Sequence, residues 1–488
     1  MPESTFTWVA VVCYLTLIVT VSALSKRASS FKVFAIGARS THPVVIGMAV
    51  AAGSVSSATF VINPGLVWLY GYSAFVALAL SSTAGLVTGL FLFSKSFRHI
   101  GEKFEALTLA QWVGDRYRSS NLRIFFGCVS LLQIAYVVLI AVSLAQVLSK
   151  GLSVPVIPAA VFVIAFACAY IFFGGTSTLI ATNFVQCFMV TAVALFLIFS
   201  GASHFSDGLG PFFDKLRAAG PFLADSVNPA SNLYRDYWET IVAQFVMGVA
   251  TALLPHLIVK SLYLRNERET NVYLLTASAF MVLFKLVVIA GLYARLELGD
   301  GPGLTADTVM ATYFVNHFSP VVRALVTAGV LAAGFSTLES IILALASIFS
   351  HDVVRPLLQK FQRQAINELT LARLFFVMLV PIVSLLAWRE LTSTSVSVLI
   401  FALNGVLAFT AAIVPVVAFG IYSKSQSRLA AFVAPIVGMT IFYAMVLLEI
   451  TKYHTNPMIP GTIAVGVGLL TFAVVSALDR SDVARSAV

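Results

Sequence analysis

Hydrophobic runs of about 20 residues, separated by short polar connections, recur along the whole chain, the length a helix needs to cross a hydrocarbon layer. Thirteen can be marked: 6–24, 43–62, 70–94, 122–149, 155–173, 178–203, 238–262, 271–297, 319–349, 371–390, 394–421, 428–450 and 457–478. The pattern predicts an all-α polytopic membrane protein with thirteen transmembrane helices. Two runs differ from the rest. The second reads GMAVAAGSVSSATFVINPG over Gly47–Gly65, with Gly53 and the hydroxyls of Ser54, Ser56, Ser57 and Thr59 at its centre. The seventh reads ETIVAQFVMGVATALLPHLIVK, with Gly248, Thr251 and Pro255-His256 in its interior. A helix bathed in lipid would carry Leu, Ile and Val there. Paired interruptions at corresponding positions of two halves point to a transporter built from inverted repeats, with its site at mid-membrane. Spans two to six and seven to eleven make two sets of five, and each set opens on its interrupted span. The expected organisation is one membrane transport domain over 1–478. It comprises an extra helix at 6–24, a first repeat at 41–204, a second at 238–421 and two further helices at 428–478. A short cytoplasmic tail at 479–488 follows.

Composition agrees with this and removes other classes. Of the 488 residues 59% are hydrophobic and 10% charged, with mean hydropathy +0.95, whereas a soluble domain carries about 25% charge. A net charge of +9 invites a nucleic-acid partner, but the positions of the charges argue against one. With the amino terminus outside, 21 of the 30 Lys and Arg residues fall on cytoplasmic segments, among them Lys26, Arg27, Lys260 and Arg265. That asymmetry sets the topology as amino terminus out and carboxyl terminus in, across the cell (inner) membrane. The lipid bilayer is then the partner, with no nucleic acid and no evident obligate protein partner. The four cysteines lie within spans, so no disulfide framework is expected. The first span ends in Val21-Ser22-Ala23, which looks like a cleavage site. The acidic residue before it and the basic pair after it read instead as a retained anchor. No zinc spacing, nucleotide loop or catalytic pair appears, so the chain is not expected to be an enzyme.

Candidate chemistry lies in the spans themselves. In LAAGFSTLES, residues 331–340 of the ninth span, Ala333, Ser336 and Thr337 share one helical face. Such hydroxyls serve either helix packing or an ion. Unwinding the second span frees carbonyls that need partners in a water-poor core, and a cage of carbonyl and hydroxyl oxygens can replace the hydration shell of a monovalent cation. The second span has no Asp, Glu, His or Lys after His42, which favours Na⁺ over H⁺. Lys285 lies about 21 Å from either end of the eighth span, too deep to reach water by its stem. An intramembrane charge is a functional candidate: it faces the substrate, or it pairs with Glu339 at similar depth. Ser54, Ser57 and Thr59 flank the first interruption, Thr251 occupies the second, and Gln133 and Asn404 are polar groups within spans four and eleven. Each is a candidate solute contact or a helix–helix hydrogen bond. His256 is expected to cap freed carbonyls near the cytoplasmic side.

Four strings in order along the chain resemble the sodium:solute symporter family, whose members carry proline, pantothenate, sugars and monocarboxylates. GARSTHPVVIGMAVAAGSVSSATFVINPG resembles the family's first core helix, FGGTSTLIATNFVQ the glycine-pair entry to the fifth, LLPHLIVKSL the sixth, and AAGFSTLESIILALASIFSHDVVRP the eighth with the acidic Asp352 after it. The likeness implies a five-plus-five core of the leucine-transporter type. It implies a sodium site on the carbonyls of Ala52, Val55 and Ala333 and the hydroxyls of Ser336 and Thr337. It also implies sodium-coupled symport of a small organic solute (an organic acid, amino acid or sugar-like molecule) into the cell by alternating access. LFKLVV resembles the sugar carriers, in which the lysine of this helix contacts substrate. The chain departs from the family in two places. Asn183 stands where an Asp is common, and Ser54 where proline carriers have a carboxylate; ligands for a second sodium are not evident. The rival functions are a symporter-like solute sensor signalling to a partner, and a proton-coupled or uncoupled carrier using Lys285 or Glu339.

Overall fold

The computed structural model describes residues 3–301, 303–306, 308–361, 366–392, 398–424, 426–451, 453 and 455–479; of the expected tail at 479–488, residues 480–488 lie outside them. Helices dominate, with no strand among the described residues. In chain order the membrane helices are α1 (Thr5–Leu24), α2 (Pro43–Gly53), α3 (Ser57–Tyr70), α4 (Tyr72–Lys103), α5 (Ser120–Leu152), α6 (Val156–Ile171), α7 (Thr176–Ser200), α8 (Trp238–Thr251), α9 (Pro255–Tyr263), α10 (Glu267–Leu298), α11 (Pro320–Lys360), α12 (Glu368–Thr392), α13 (Val398–Tyr422), α14 (Arg428–Leu447) and α15 (Met458–Leu478). The pairs α2/α3 and α8/α9 are single spans bent by 71° and 59°. Counting each pair once and including the 16-residue α6, every run marked in the sequence is a helix.

The bends sit where the chain chemistry puts them. Pro43 opens α2 in the first-turn position where its missing N–H costs nothing. The helix then ends at Gly53, and three residues, Ser54 to Ser56, leave the helical path before α3. In the second pair, Pro255 starts α9 after Leu254 takes an extended conformation (φ −61°, ψ 134°), as a residue before proline prefers.

Burial separates the core from the periphery. The apolar window of α11 is 94% buried, against 22% for α1, so α11 is the central pillar and α1 faces outward. The helix α2 packs on α7, α10 and α11, while α14 and α15 pack on each other and on α13. Close approach needs small residues. At the crossing of α4 and α8, a Cβ on Gly85 would lie 2.1 Å from the Phe245 carbonyl oxygen, and one on Gly248 would lie 2.4 Å from that of Ser82. Gly85→Ala therefore forces backbones apart. It is expected to cost about 1–3 kcal/mol, read as a lower thermal midpoint of the solubilised protein. Gly210→Ala, where a Cβ meets nothing within 4 Å, should leave the midpoint unchanged.

Three boundaries differ from the sequence reading. The second span, expected to end at 62, runs on through α3 to Tyr70. The third, expected to end at 94, runs to Lys103, and the ninth, expected to end at 349, runs to Lys360 through a wider turn at Phe349–Val354. In the third and ninth the hydrophobic runs stop at the first charges, but these charges are paired and the helices continue. Arg98 donates to Glu102 (2.9 Å) and to the Arg265 carbonyl (3.2 Å). Arg123 donates to Asp352 (2.7 Å), which also accepts from Thr108 (2.5 Å). Arg116 reaches the Gly420 carbonyl (2.6 Å). These bonds tie α4, α5, α11 and α13 together at one end of the bundle.

Candidate functional site

The break in α2/α3 removes the i→i−4 partners of the last α2 carbonyls, which turn toward α11. Ser336, on the fully buried face of α11, donates to the Ala52 carbonyl at 2.9 Å and to that of Ala333 at 2.9 Å. Thr337 lies 2.5 Å from the Val55 carbonyl oxygen, 3.3 Å from that of Ala333 and 3.5 Å from that of Ala52. All five residues are fully buried. Three carbonyl and two hydroxyl oxygens thus converge on one point between a broken and a continuous helix, with no acidic or basic side chain among them. Here the hydroxyls donate to the carbonyls. Because a carbonyl has two lone pairs and a hydroxyl rotates, the same atoms can face a cation.

On the other side of the break lies a cavity of about 220 Å³. It runs from the two bends toward Leu233, Tyr234 and Asn456, at the end of the bundle opposite the Arg98 and Arg123 pairs. Four of the sequence candidates line it: Ser54, Thr59, Thr251 and Lys285. All three of these hydroxyls also have local duties, since Ser54 donates to the Ala51 carbonyl (2.7 Å), Thr251 donates to the Met247 carbonyl (2.7 Å) and Thr59 accepts from the Ser56 N–H (3.3 Å). Lys285 is part-buried on α10 and has no hydrogen-bond or ion-pair partner among the described residues. Ser57, Gln133 and Asn404 are not in the lining. Each is placed within the helix packing with a side-chain polar atom left unbonded among the described residues.

Other residues of the site were not singled out from the sequence. Asn63, Tyr136 and Gln244 line the cavity, as does Ser56, which the sequence places in the hydroxyl run but not among the candidate solute contacts. Their signal was weak, because one polar residue per span is ordinary packing; only the three-dimensional convergence distinguishes them. The alternative pairing of Lys285 with Glu339 does not form. Glu339 faces away from the cavity, accepting from Thr182 at 2.9 and 3.0 Å, and its electrostatic partner is Lys260. Lys260 itself is a correction. Counted among the cytoplasmic charges, it is 2% exposed inside α9, because the bend at Pro255 turns its helix inward before the span reaches the membrane surface. His256 does not cap carbonyls: its Nδ1 is buried without a partner and its ring lies 6.4 Å from that of Tyr136.

The sodium:solute symporter family model matches residues 34–438. The chain is 22% identical to the sodium/pantothenate symporter of Haemophilus influenzae, an alignment covering 92% of this chain and 91% of that protein. It is 23% identical to the osmoregulated proline transporter OpuE of Bacillus subtilis, covering 87% and 85%, and 24% identical to the uncharacterized symporter YwcA of the same organism, covering 93% and 90%. Among solved structures, a Na⁺-coupled sialic acid symporter in a substrate-bound outward-open state superimposes with a TM-score of 0.79 at 18% identity, over 97% of this chain and 98% of that one. Mhp1, a nucleobase-cation-symport-1 family transporter, superimposes with a TM-score of 0.54 at 14% identity, over 93% and 96%. The fold is therefore the five-plus-five helical core with bent first helices.

Proposed function

Because this chain belongs to the sodium:solute symporter family, we propose that it carries a small carboxylate-bearing solute into the cell together with sodium. The ion is held by the carbonyls of Ala52, Val55 and Ala333 and the hydroxyls of Ser336 and Thr337, and the solute by the cavity that contains Lys285. The convergence of those five oxygens at the α2/α3 break is the observation that carries the reading. A neutral oxygen cage suits an alkali ion and offers no group to carry a proton.

The solute class follows from Lys285. A cationic side chain without a partner, at mid-membrane and beside a cavity, favours a negatively charged ligand group. The related carriers named for their substrates take pantothenate, proline and sialic acid, all of which bear a carboxylate. Ser54, Ser56, Asn63, Gln244 and Thr251 surround the cavity with hydroxyl and amide groups suited to the rest of such a molecule. The cavity mouth at Leu233, Tyr234 and Asn456 faces outside and the Arg98 and Arg123 pairs face the cytoplasm, with the amino terminus out. On this assignment the cavity lies on the outer side of the break in α2/α3.

Proteoliposomes supply the test. Radiolabelled monocarboxylates, amino acids and acidic sugars are offered under an inward sodium gradient, then under a pH gradient with sodium absent. Concentrative uptake of at least one acid is expected under the first condition alone. Uptake driven equally by the pH gradient would defeat the sodium assignment, and uptake of uncharged sugars only would defeat the carboxylate.

A further inference from the structure

The contact between α2 and α11 that forms the candidate sodium site is made a second time, one turn away. Where Ala52 O meets Ser336 Oγ, the residues three before and four after them, Ala49 and Ser340, face each other as well. Between them stands the ammonium of Lys260. Its Nζ donates to the Ala49 carbonyl at 3.0 Å and to Ser340 Oγ at 3.1 Å. Ser340 in turn donates to the Ser336 carbonyl at 2.7 Å, so the two positions share a hydrogen-bond chain. Asn183 reaches the same two oxygens from α7, with Nδ2 3.5 Å from Ala49 O and 3.3 Å from Ser340 Oγ. A carbonyl and a hydroxyl thus accept from one positive charge, and the Asn183 amide donates to the same two oxygens beside it; the charge also interacts with the buried Glu339 carboxylate.

The packing leaves room for this ammonium on purpose. A Cβ on Gly53 would lie 2.7 Å from Lys260 Nζ and 2.9 Å from Ser340 Oγ, so glycine at the end of α2 is what admits the charge. Two helices tied at mid-membrane by an oxygen cage are tied again by a lysine that belongs to the bent helix of the other half. A buried lysine without a sufficient anionic partner within ion-pair distance is costly, and a role in packing alone would be met by an apolar side chain. Cation chemistry explains the arrangement better, because an ammonium and an alkali ion ask for the same oxygens.

Resting on the sodium reading above, we propose that Lys260 is a built-in second cation: its ammonium fills, one helical turn from the sodium position, a place that a free alkali ion would otherwise take. The chain then binds a single sodium ion per cycle. It also accounts for Asn183, since a carboxylate at that position would add an anion to a site whose cation is covalently attached.

The test counts sodium ions on the purified chain in lipid nanodiscs, using ²²Na⁺ itself as the probe. The native chain is expected to bind one ion with a Hill coefficient near 1. Lys260→Ala combined with Asn183→Asp should bind two, with a coefficient of about 1.5 or more, the limit set by the number of sites. Lys260→Met, which keeps the stem and removes the charge, should still bind one ion but at least about tenfold more tightly, a like charge one turn away having been removed. Two ions on the native chain would overturn the inference while leaving sodium coupling intact, even if neither variant folds. So would a folded double variant that binds one ion with native affinity. No sodium on the native chain would overturn the coupling itself.

Discussion

Replacing Ser336 and Thr337 together with alanine is expected to abolish sodium-driven uptake and to weaken sodium binding by about two to four orders of magnitude. The double variant removes two of five oxygens from the candidate cage, and a hydrogen-bonding group that faces a charge contributes about 1.5–3 kcal/mol. A decade of affinity corresponds to about 1.4 kcal/mol. The substitution also has a cost in the absence of sodium. The hydroxyls then donate to the carbonyls of Ala52, Val55 and Ala333, and without them a buried carbonyl at the break is left unpaired, at about 1–3 kcal/mol. Two measurements separate the effects. Thermal midpoints without sodium report the structural loss, and the increase of the midpoint with sodium concentration reports binding. Thr337→Ser keeps the oxygen and loses only a methyl group, so it should retain sodium-dependent stabilisation and uptake. A double alanine variant that still transports in proportion to the sodium gradient would show that the cage lies elsewhere.

The second large effect is expected at Lys285. Lys285→Met keeps a stem of similar length and deletes the only charge in the cavity lining among the described residues. Solute uptake should fall by about a hundredfold or more, the loss of a charge-assisted contact in a partly desolvated site being about 3 kcal/mol. Stabilisation by sodium should persist, because the sodium oxygens belong to α2, the break and α11 rather than to α10. Sodium binding and solute transport would thereby be divided between two residues. Loss of both in Lys285→Met would mean that the lysine supports the fold rather than the solute. Lys285→Arg should recover part of the activity with a carboxylate substrate, since it keeps the charge but changes its shape.

Much of this architecture was legible in the hydrophobic pattern because lipid leaves few choices. A run of about 20 apolar residues has to be a helix, and the thirteen runs are helices. The breaks were legible for a related reason: Gly53 followed by hydroxyls, and Pro255 after Gly248 and Thr251, are what a lipid-facing helix avoids. Among the five sodium candidates, the face shared by Ala333, Ser336 and Thr337 is fixed by helical spacing, whereas Ala52 and Val55 were joined to it by the resemblance to the family. What could not be read was anything that depends on direction after a bend. Lys260 follows its proline by five residues and looks like an ordinary flanking charge, yet the 59° turn at Pro255 carries it into the core. Glu339 was expected at a depth similar to that of Lys285, but depth does not fix azimuth, and the carboxylate faces Thr182 instead. Ser56 is still extended (φ −113°, ψ 176°) while Ser57 opens α3, and that change of backbone path is enough to place Ser57 outside the cavity.

Three consecutive residues link the two ligands. Ser54 and Ser56 line the cavity proposed for the solute, and the carbonyl of Val55 between them belongs to the proposed sodium cage. A backbone segment of this length cannot adjust to one occupant without moving the wall of the other. The two binding equilibria therefore share a coupling free energy, and thermodynamic reciprocity makes the shift equal in both directions. Whatever factor sodium adds to the affinity for solute, solute adds to the affinity for sodium. A peptide bent at Val55 is then enough to couple the two sites, without any signal travelling through the rest of the protein.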